Sequence, residues 1–368
     1  MASTYRQQFL GLLATNERSM AAMFSDLHAR IMLHITRAAV GEGQTIPAQD
    51  SQAVRDRISA EVLSTFVTNG QGGAPSAFTV LRGRVMPQSP YLRALWPLLE
   101  QSVKLAVEEQ GAIMRRQLRR APDVLAVFEK ATHNPLVWAR AVHEQTVPRR
   151  AFLAYDPLHR FVDPRGYRLS DRIWDTATIT RRKVDQLLTE MIAEGRGSRA
   201  ISDELEAFLQ PGRMIVRTNK PYGTTASYDA MRLARTEIAA AHSRAGVMSA
   251  QMNPFVQKYH VRISGSHVKV DICDDAADGG PYELNDTENL PPLHAHCLCT
   301  TMWVLVENSQ VVLDEFRDDI RAREADLIAV LRGEPDRAPS LMDFITPLLT
   351  ERFTRLLLDD PEYQEEWY

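Results

Sequence analysis

His267–Cys299 reads HVKVDICDDAADGGPYELNDTENLPPLHAHCLC, and the segments flanking it decide the fold. Upstream, residues 256–263 (VQKYHVRI) alternate apolar and polar, the pattern of a half-buried strand. Downstream, residues 299–306 (CTTMWVLV) are β-branched and apolar and predict a second strand. Residues 264–298 between them hold few apolar side chains and predict a long polar loop. A loop of that length in a compact domain is functional, or is held by something other than a core. All three cysteines of the chain, Cys273, Cys297 and Cys299, fall in this region, beside His267, Asp271, Asp274, His294 and His296. Thiolate and imidazole together suit zinc, which takes four tetrahedral N/S ligands, and the predicted set is Cys273, His294, Cys297 and Cys299. Metal binding would then supply the ordering energy that the loop's own side chains lack. The plainer alternative is three small buried residues without a metal, since cysteine is among the most buried types. In that case Pro291-Pro292 stiffens the turn, and the Asp and His side chains bond backbone groups.

Working outward, residues 224–252 (TTASYDAMRLARTEIAAAHSRAGVMSAQM) predict a helix rich in small residues and able to pack closely. A helix is predicted from Asp171 to Glu194, with Ser170 as N-cap and Gly195 and Gly197 at its end. Ser198 caps a shorter one, Arg199–Leu209. Over the first forty residues, Phe9, Leu12, Leu13, Met20, Met23, Phe24, Leu27, Ile31, Leu33 and Ile35 form an apolar stripe, and residues 51–68 repeat the pattern. Residues 69–75 (NGQGGAP) read as a flexible break, and a long amphipathic helix runs from Tyr91 to Arg120, ended by Pro122. Two helices, at 311–332 and 340–358, close the chain. The expected class is α+β, mostly α. A helical N-terminal region (1–144) leads to a connector and helical segment (145–220). A small α/β domain with the Cys/His loop (221–306) and an acidic helical tail (307–368) follow.

The formal net charge of −4 argues for no nucleic-acid partner overall, but the charge is uneven. Residues 111–220 hold 20 Lys+Arg against 13 Asp+Glu, and residues 307–368 hold 7 against 16. Arg115, Arg116, Arg119 and Arg120 share one helix side, and Arg181, Arg182 and Lys183 add to the basic middle, so these seven are candidate DNA contacts. The other reading of each run is a solvated helix face. Three cysteines, all late in the chain, argue against a secreted disulfide framework. No basic region followed by an apolar run opens the chain, and no stretch of about 18 apolar residues predicts a membrane span, so a reducing compartment is expected.

Three segments, in order, resemble the C-terminal signature of the phage Mu F-like head-morphogenesis family: Arg235-Thr236-Glu237 within RLARTEIAAAH, then HVKVDICD, then LPPLHAHCLC. In that family an ARTE-type helix precedes a strand, a D-x-C motif and a closing P-P-x-H-x-x-C-x-C motif. The matching positions here are Arg235, Thr236, Glu237, His267, Asp271, Cys273, Pro291, Pro292, His294, Cys297 and Cys299. Residues 169–205 also resemble the family's helical part, so the resemblance covers about 168–306. Two positions depart from it: Ala276 stands where many relatives have a second cysteine, and Ala295 where proline is common. The resemblance implies a low-copy virion protein that acts in head assembly at the portal vertex, with the portal protein and other head proteins as partners. It also implies contact with packaged double-stranded DNA in some relatives, and no enzymatic role.

Rival readings are weaker. A zinc deaminase needs His-x-Glu and Cys-x-x-Cys, whereas this chain has His294-x-His296 and Cys297-x-Cys299. ADP-ribosyl transfer through Arg235 and Glu237 fails because i and i+2 on a helix point to different sides. A cysteine hydrolase would need Cys297 activated by His294 or His296. Arg235 is expected instead to anchor the loop through Asp271 or Asp274, with Thr236 and Glu237 bonding the strand region or the loop.

Overall fold

In a computed structural model the described residues are 2–69, 75–76, 78–81, 84–122, 169–209, 225–251, 253–265, 267, 270–295, 297–315 and 317–318. They are mostly helical with a small three-stranded antiparallel sheet, the α+β class expected. The elements are α1 (Ala2–Ala38), α2 (Ser51–Phe66), β1 (Thr68–Asn69), β2 (Pro75–Ser76), β3 (Phe78–Leu81), β4 (Arg84–Pro87) and α3 (Pro90–Leu118). Then come α4 (Leu169–Ala193), α5 (Ser198–Leu209), α6 (Ala226–Gln251), β5 (Val256–Arg262), α7 (Ile272–Gly279), β6 (Tyr282–Glu283) and β7 (Thr300–Leu305). Two compact units form from interleaved segments: a sheet unit of Met1–Arg6, Ser102–Tyr155 and Ala239–Tyr368, and a helical unit of Gln7–Gln101 and Asp156–Ile238. The linear division expected from sequence runs across these units, because α3 and α6 each contribute to both.

The helical unit is built on the α1 stripe. Phe24, Leu27, Ile31 and Ile35 are fully buried, as are Ile58, Val62 and Phe66 of α2. Leu33, expected in the same stripe, is 49% exposed. Residues two apart on a helix are about 200° apart, so Leu33 cannot share the face of Ile31 and Ile35. Phe66 packs against Phe24 (ring centroids 6.0 Å apart) and Tyr91 (5.4 Å). Arg55 of α2 and Asp185 of α4 form a two-point pair at 2.7 and 2.9 Å. Ser170 lies inside the first turn of α4, not ahead of it, so it is not the cap that the sequence suggested. The Ser198 hydroxyl is 3.1 Å from Gln44 Oε1 and does not act as a simple N-cap either.

In the sheet unit the strand order is β6-β5-β7, all antiparallel, with Tyr259 opposite Trp303 and also opposite Tyr282. The small residues of α6 do pack closely: Ala239, Ala240, Ala241, Ala245 and Ala250 are buried. A Cβ placed on Gly246 would stand 2.9 Å from the Trp303 ring, which fills the space the missing side chain leaves. Gly246→Ala is therefore expected to cost about 1–3 kcal/mol by overpacking, despite alanine's better helix propensity. Chemical denaturation checks this, and a stabilised variant would show that Trp303 shifts freely.

His242 is buried on α6, with Nδ1 3.3 Å from the Ser102 carbonyl. Burial pushes its pKa down from 6.5 to about 4, against the opposing hydrogen bond. The folded protein holds the neutral ring while the unfolded chain binds a proton below pH 6.5. Stability is thus complete above that value and falls as pH drops toward 4, by about 3 kcal/mol for this group. Denaturation at pH 7 and 4.5 should show that loss, and His242→Phe should flatten it. An unchanged acid loss in the variant would assign the effect elsewhere.

Two expectations about the late segments need correction or fall outside the description. Residues 264–298 are not an unstructured polar loop: they contain α7 and β6. Of the tail, residues 309–315 are helical, which overlaps the start of the helix expected at 311–332. The second tail helix, at 340–358, and the connector at 145–168 lie outside the described residues.

Candidate metal centre

The site is built from the N-terminus of α7 upward. Asp271 is its N-cap, in extended backbone, and its Oδ1 accepts from the Cys273 amide at 2.8 Å. Asp274 returns the bond, its Oδ2 accepting from the Asp271 amide at 2.8 Å, and this completes a capping box. The box presents Cys273 in the first turn, where the helix dipole favours a thiolate. Cys273 Sγ lies 3.6 Å from Cys297 Sγ, and all three cysteines are free thiols and buried.

The closing segment 290–299 brings the rest. Leu290 and Cys297 join Tyr259, Val261, Cys273, Ala276 and Cys299 in one buried cluster, against which Tyr282, Leu284, Leu293 and Trp303 pack. The region thus has a core of its own, as in the alternative of small buried residues, and not the bare polar loop expected. Sparse leucines and small residues suffice because β5 and β7 lie directly beneath. The Pro291-Pro292 peptide is cis.

Five side chains offer ligand atoms in two overlapping trios, within which all atoms lie no more than 4.8 Å apart: His267, Cys273 and Cys299; and Cys273, His294 and Cys297. This Cys/His cluster could hold a metal ion. Of the sequence-derived set, Cys273, His294 and Cys297 share one trio, while Cys299 joins Cys273 in the other. His267, assigned from sequence to a structural motif, completes that second trio as a fifth donor. His267 Nε2 is 2.7 Å from Asp274 Oδ2, and His294 Nε2 is 3.4 Å from Asp271 Oδ2. His296 lies outside the described residues.

The thiols differ sharply in acidity. Cys299 is pushed down to about 6, chiefly by a hydrogen bond from Cys297, with help from a Ser264 backbone bond, Cys273 and the His267 charge. Cys297 is pushed up as the group that keeps its proton and donates it to Cys299, and burial adds to this. Burial also raises Cys273, to about 12. Asp274 raises His267 through their hydrogen bond, and the backbone of Asp271 is the main cause holding Asp274 low. A bound cation would lower all three, because a coordinating thiol loses its proton.

Cys299, His267 and Asp274 also follow the order nucleophile, base, orienting acid. Cys299 is only 4% exposed, however, and Cys297 only 1%. A closed cluster of this kind suits a structural metal site, whereas a catalytic one keeps an open position. The rival hydrolase reading through Cys297 is not favoured by its burial.

The remaining candidate residues lie elsewhere. Arg235 ion-pairs with Glu17 of α1, and Glu237 pairs with Arg172 of α4 at 2.9 Å, both inside the helical unit. Thr236 donates to the Arg232 carbonyl. These are the partners found where Asp271, Asp274 and the loop were expected. Arg116, Arg119 and Arg120 are exposed in the sheet unit, as are Arg181, Arg182 and Lys183 in the helical unit, and the Arg115 side chain is outside the description. Lys183 Nζ sits 5.8 Å from the Phe208 ring centroid, so part of its charge faces an aromatic neighbour.

Asp274, expected from sequence as a partner of Arg235 or of loop backbone, instead closes the capping box and meets His267. A signal existed: Asp271-x-x-Asp274 ahead of Ala276 and Ala277 is a capping-box pattern at a helix start. No known protein family, curated protein or solved structure matches the chain at a significant level.

Proposed function

We propose that this chain is a structural minor head protein of a tailed bacteriophage, acting in head assembly at the portal vertex, with the portal protein and other head proteins as partners and the virion as its destination. It has no catalytic role in this reading. The observation that carries it is that the D-x-C and P-P-x-H-x-x-C-x-C segments converge on one closed thiol cluster, while the R-T-E residues make buried structural ion pairs. Motifs that resemble a head-morphogenesis signature thus supply scaffold and not a reaction centre. The test is the composition of purified heads from a phage that carries this gene: low-copy presence beside the portal protein is expected. Heads that lack the chain, or assemble normally without it, overturn the proposal. Leu341, Phe344, Ile345, Leu348, Leu349 and Phe353 of the tail have the spacing of one helix side and are the docking surface in this reading, although they lie outside the described residues. Deleting 340–368 should abolish incorporation into heads.

Zinc is the ion this donor set suits, by its sulfur and nitrogen atoms and its enclosure. Two thiolates each about 2.3 Å from a tetrahedral ion stand about 3.8 Å apart. The Cys273–Cys297 separation of 3.6 Å is close to that.

Sequence-blind DNA binding is the second reading, favoured by the exposure of Arg116, Arg119, Arg120, Arg181, Arg182 and Lys183. Retention on a DNA column at low salt, lost by about 0.3 M, is expected if it holds. Passage through the column at low salt removes it.

A further inference from the structure

Five donors fall in two trios that share Cys273, with His267 and Cys299 in one and His294 and Cys297 in the other, whereas a tetrahedral ion takes four. We infer that the ion is held by Cys273, Cys297, Cys299 and the imidazole Nδ1 of His267, with Asp274 as the carboxylate that fixes that ring and His294 outside the ligand set. The inference rests on the zinc reading above and replaces the histidine that spacing alone suggested.

The two histidines differ in where their nitrogens face. Both carboxylates near His267 lie on the side of one nitrogen: Asp274 Oδ2 is 2.7 Å from Nε2 and Asp271 Oδ1 is 3.8 Å from it. A neutral imidazole carries one proton, and here it belongs on Nε2, which leaves the Nδ1 lone pair for a metal. Ligating histidines commonly donate their other N–H to a carboxylate in this way, which sets both tautomer and ring orientation. Asp274 is itself held by the Asp271 amide in the capping box, so the ring's support is rigid. His267 is also the more enclosed, with 12% of its side chain exposed against 36% for His294.

His294 faces an oxygen from each nitrogen: the Ala295 carbonyl is 2.9 Å from Nδ1, and Asp271 Oδ2 is 3.4 Å from Nε2. Its Nε2 is buried and makes no hydrogen bond, which makes it the rival for the fourth position. Its place opposite Asp271 instead gives it the task of steadying the N-cap carboxylate at the rim. The three thiols complete the set: Cys273 lies 3.6 Å from Cys297 and shares a trio with Cys299 and His267.

The test is zinc content and cobalt(II) absorption of the full chain and its variants, with folding followed by circular dichroism. One zinc per chain is expected in the parent protein and in His294→Ala. His267→Ala should lose zinc to a competing chelator, and His267→Cys should restore it with stronger sulfur-to-cobalt absorption. Asp274→Asn should keep the four-ligand spectrum but bind about 10- to 100-fold more weakly, as a positioning residue does. Loss of zinc in His294→Ala, or its retention in His267→Ala, overturns the ligand assignment while the metal reading stands. A parent protein that takes up no zinc or cobalt overturns the metal reading itself.

Discussion

Replacing Glu237 with alanine is expected to cost about 3–5 kcal/mol of stability, a large share of what holds an ordinary domain together. Glu237 is fully buried, and the Arg172 guanidinium 2.9 Å away is only 10% exposed. Removing the carboxylate leaves a buried cation without its counter-charge, and the cost of that exceeds the net value of the pair. The Tyr91 phenol, also fully buried, shares this environment: burial first, then the Glu237 charge, raises its pKa well above the usual value. The double variant Arg172→Met/Glu237→Leu should recover most of the loss, since apolar side chains of similar volume replace buried ion pairs at little cost. Urea denaturation of the three proteins decides the matter. A single-variant loss below about 1 kcal/mol, or a double variant no better than the single, would show that water or another group screens the pair. Glu237 belongs to the R-T-E segment, so the result also asks whether that motif is a structural tie between α4 and α6.

The second large effect concerns the metal centre. Removing the ion with a chelator is expected to lower the unfolding midpoint markedly. At free zinc about 1,000-fold above the dissociation constant, binding only to the folded state adds about 4 kcal/mol. The thiol cluster has its own hydrophobic surroundings, so the stripped protein should stay folded at ambient temperature and regain its midpoint when zinc is returned. Cys297→Ser should hold less zinc than the parent and respond less to the chelator. Equal metal content in the two proteins, or an unchanged midpoint after chelation, would mean that the buried thiols serve packing alone. Head incorporation of the stripped protein, measured beside its stability, separates a structural ion from one that a partner must see.

Much of the architecture was legible along the chain. The alternation at 256–263 marks β5, and the β-branched run after Cys299 marks β7. The stripe of Phe24, Leu27, Ile31 and Ile35 marks the buried side of α1. The candidate metal centre was legible as a set of residue types: its three thiols and both histidines sit in one stretch. What escaped was α7, because its buried positions are Cys273 and Ala276, small residues that do not register as an apolar stripe. The partners of Arg235 and Glu237 escaped as well. Arg235 meets Glu17 across 218 positions of sequence, and nothing local announces such a pairing.

The division has one physical cause. A helix or strand repeats its side-chain direction every few residues by covalent geometry, so burial on one side is written into the order of the residues themselves. That order determined the helices, the two late strands and the gathering of Cys273, Cys297 and Cys299 with their histidines. Tertiary structure alone decided which buried charge meets which, that Trp303 fills the gap at Gly246, and that the Nε2 of His267 meets Asp274. Those outcomes depend on distances between segments far apart in the chain, and short-range periodicity carries no record of them.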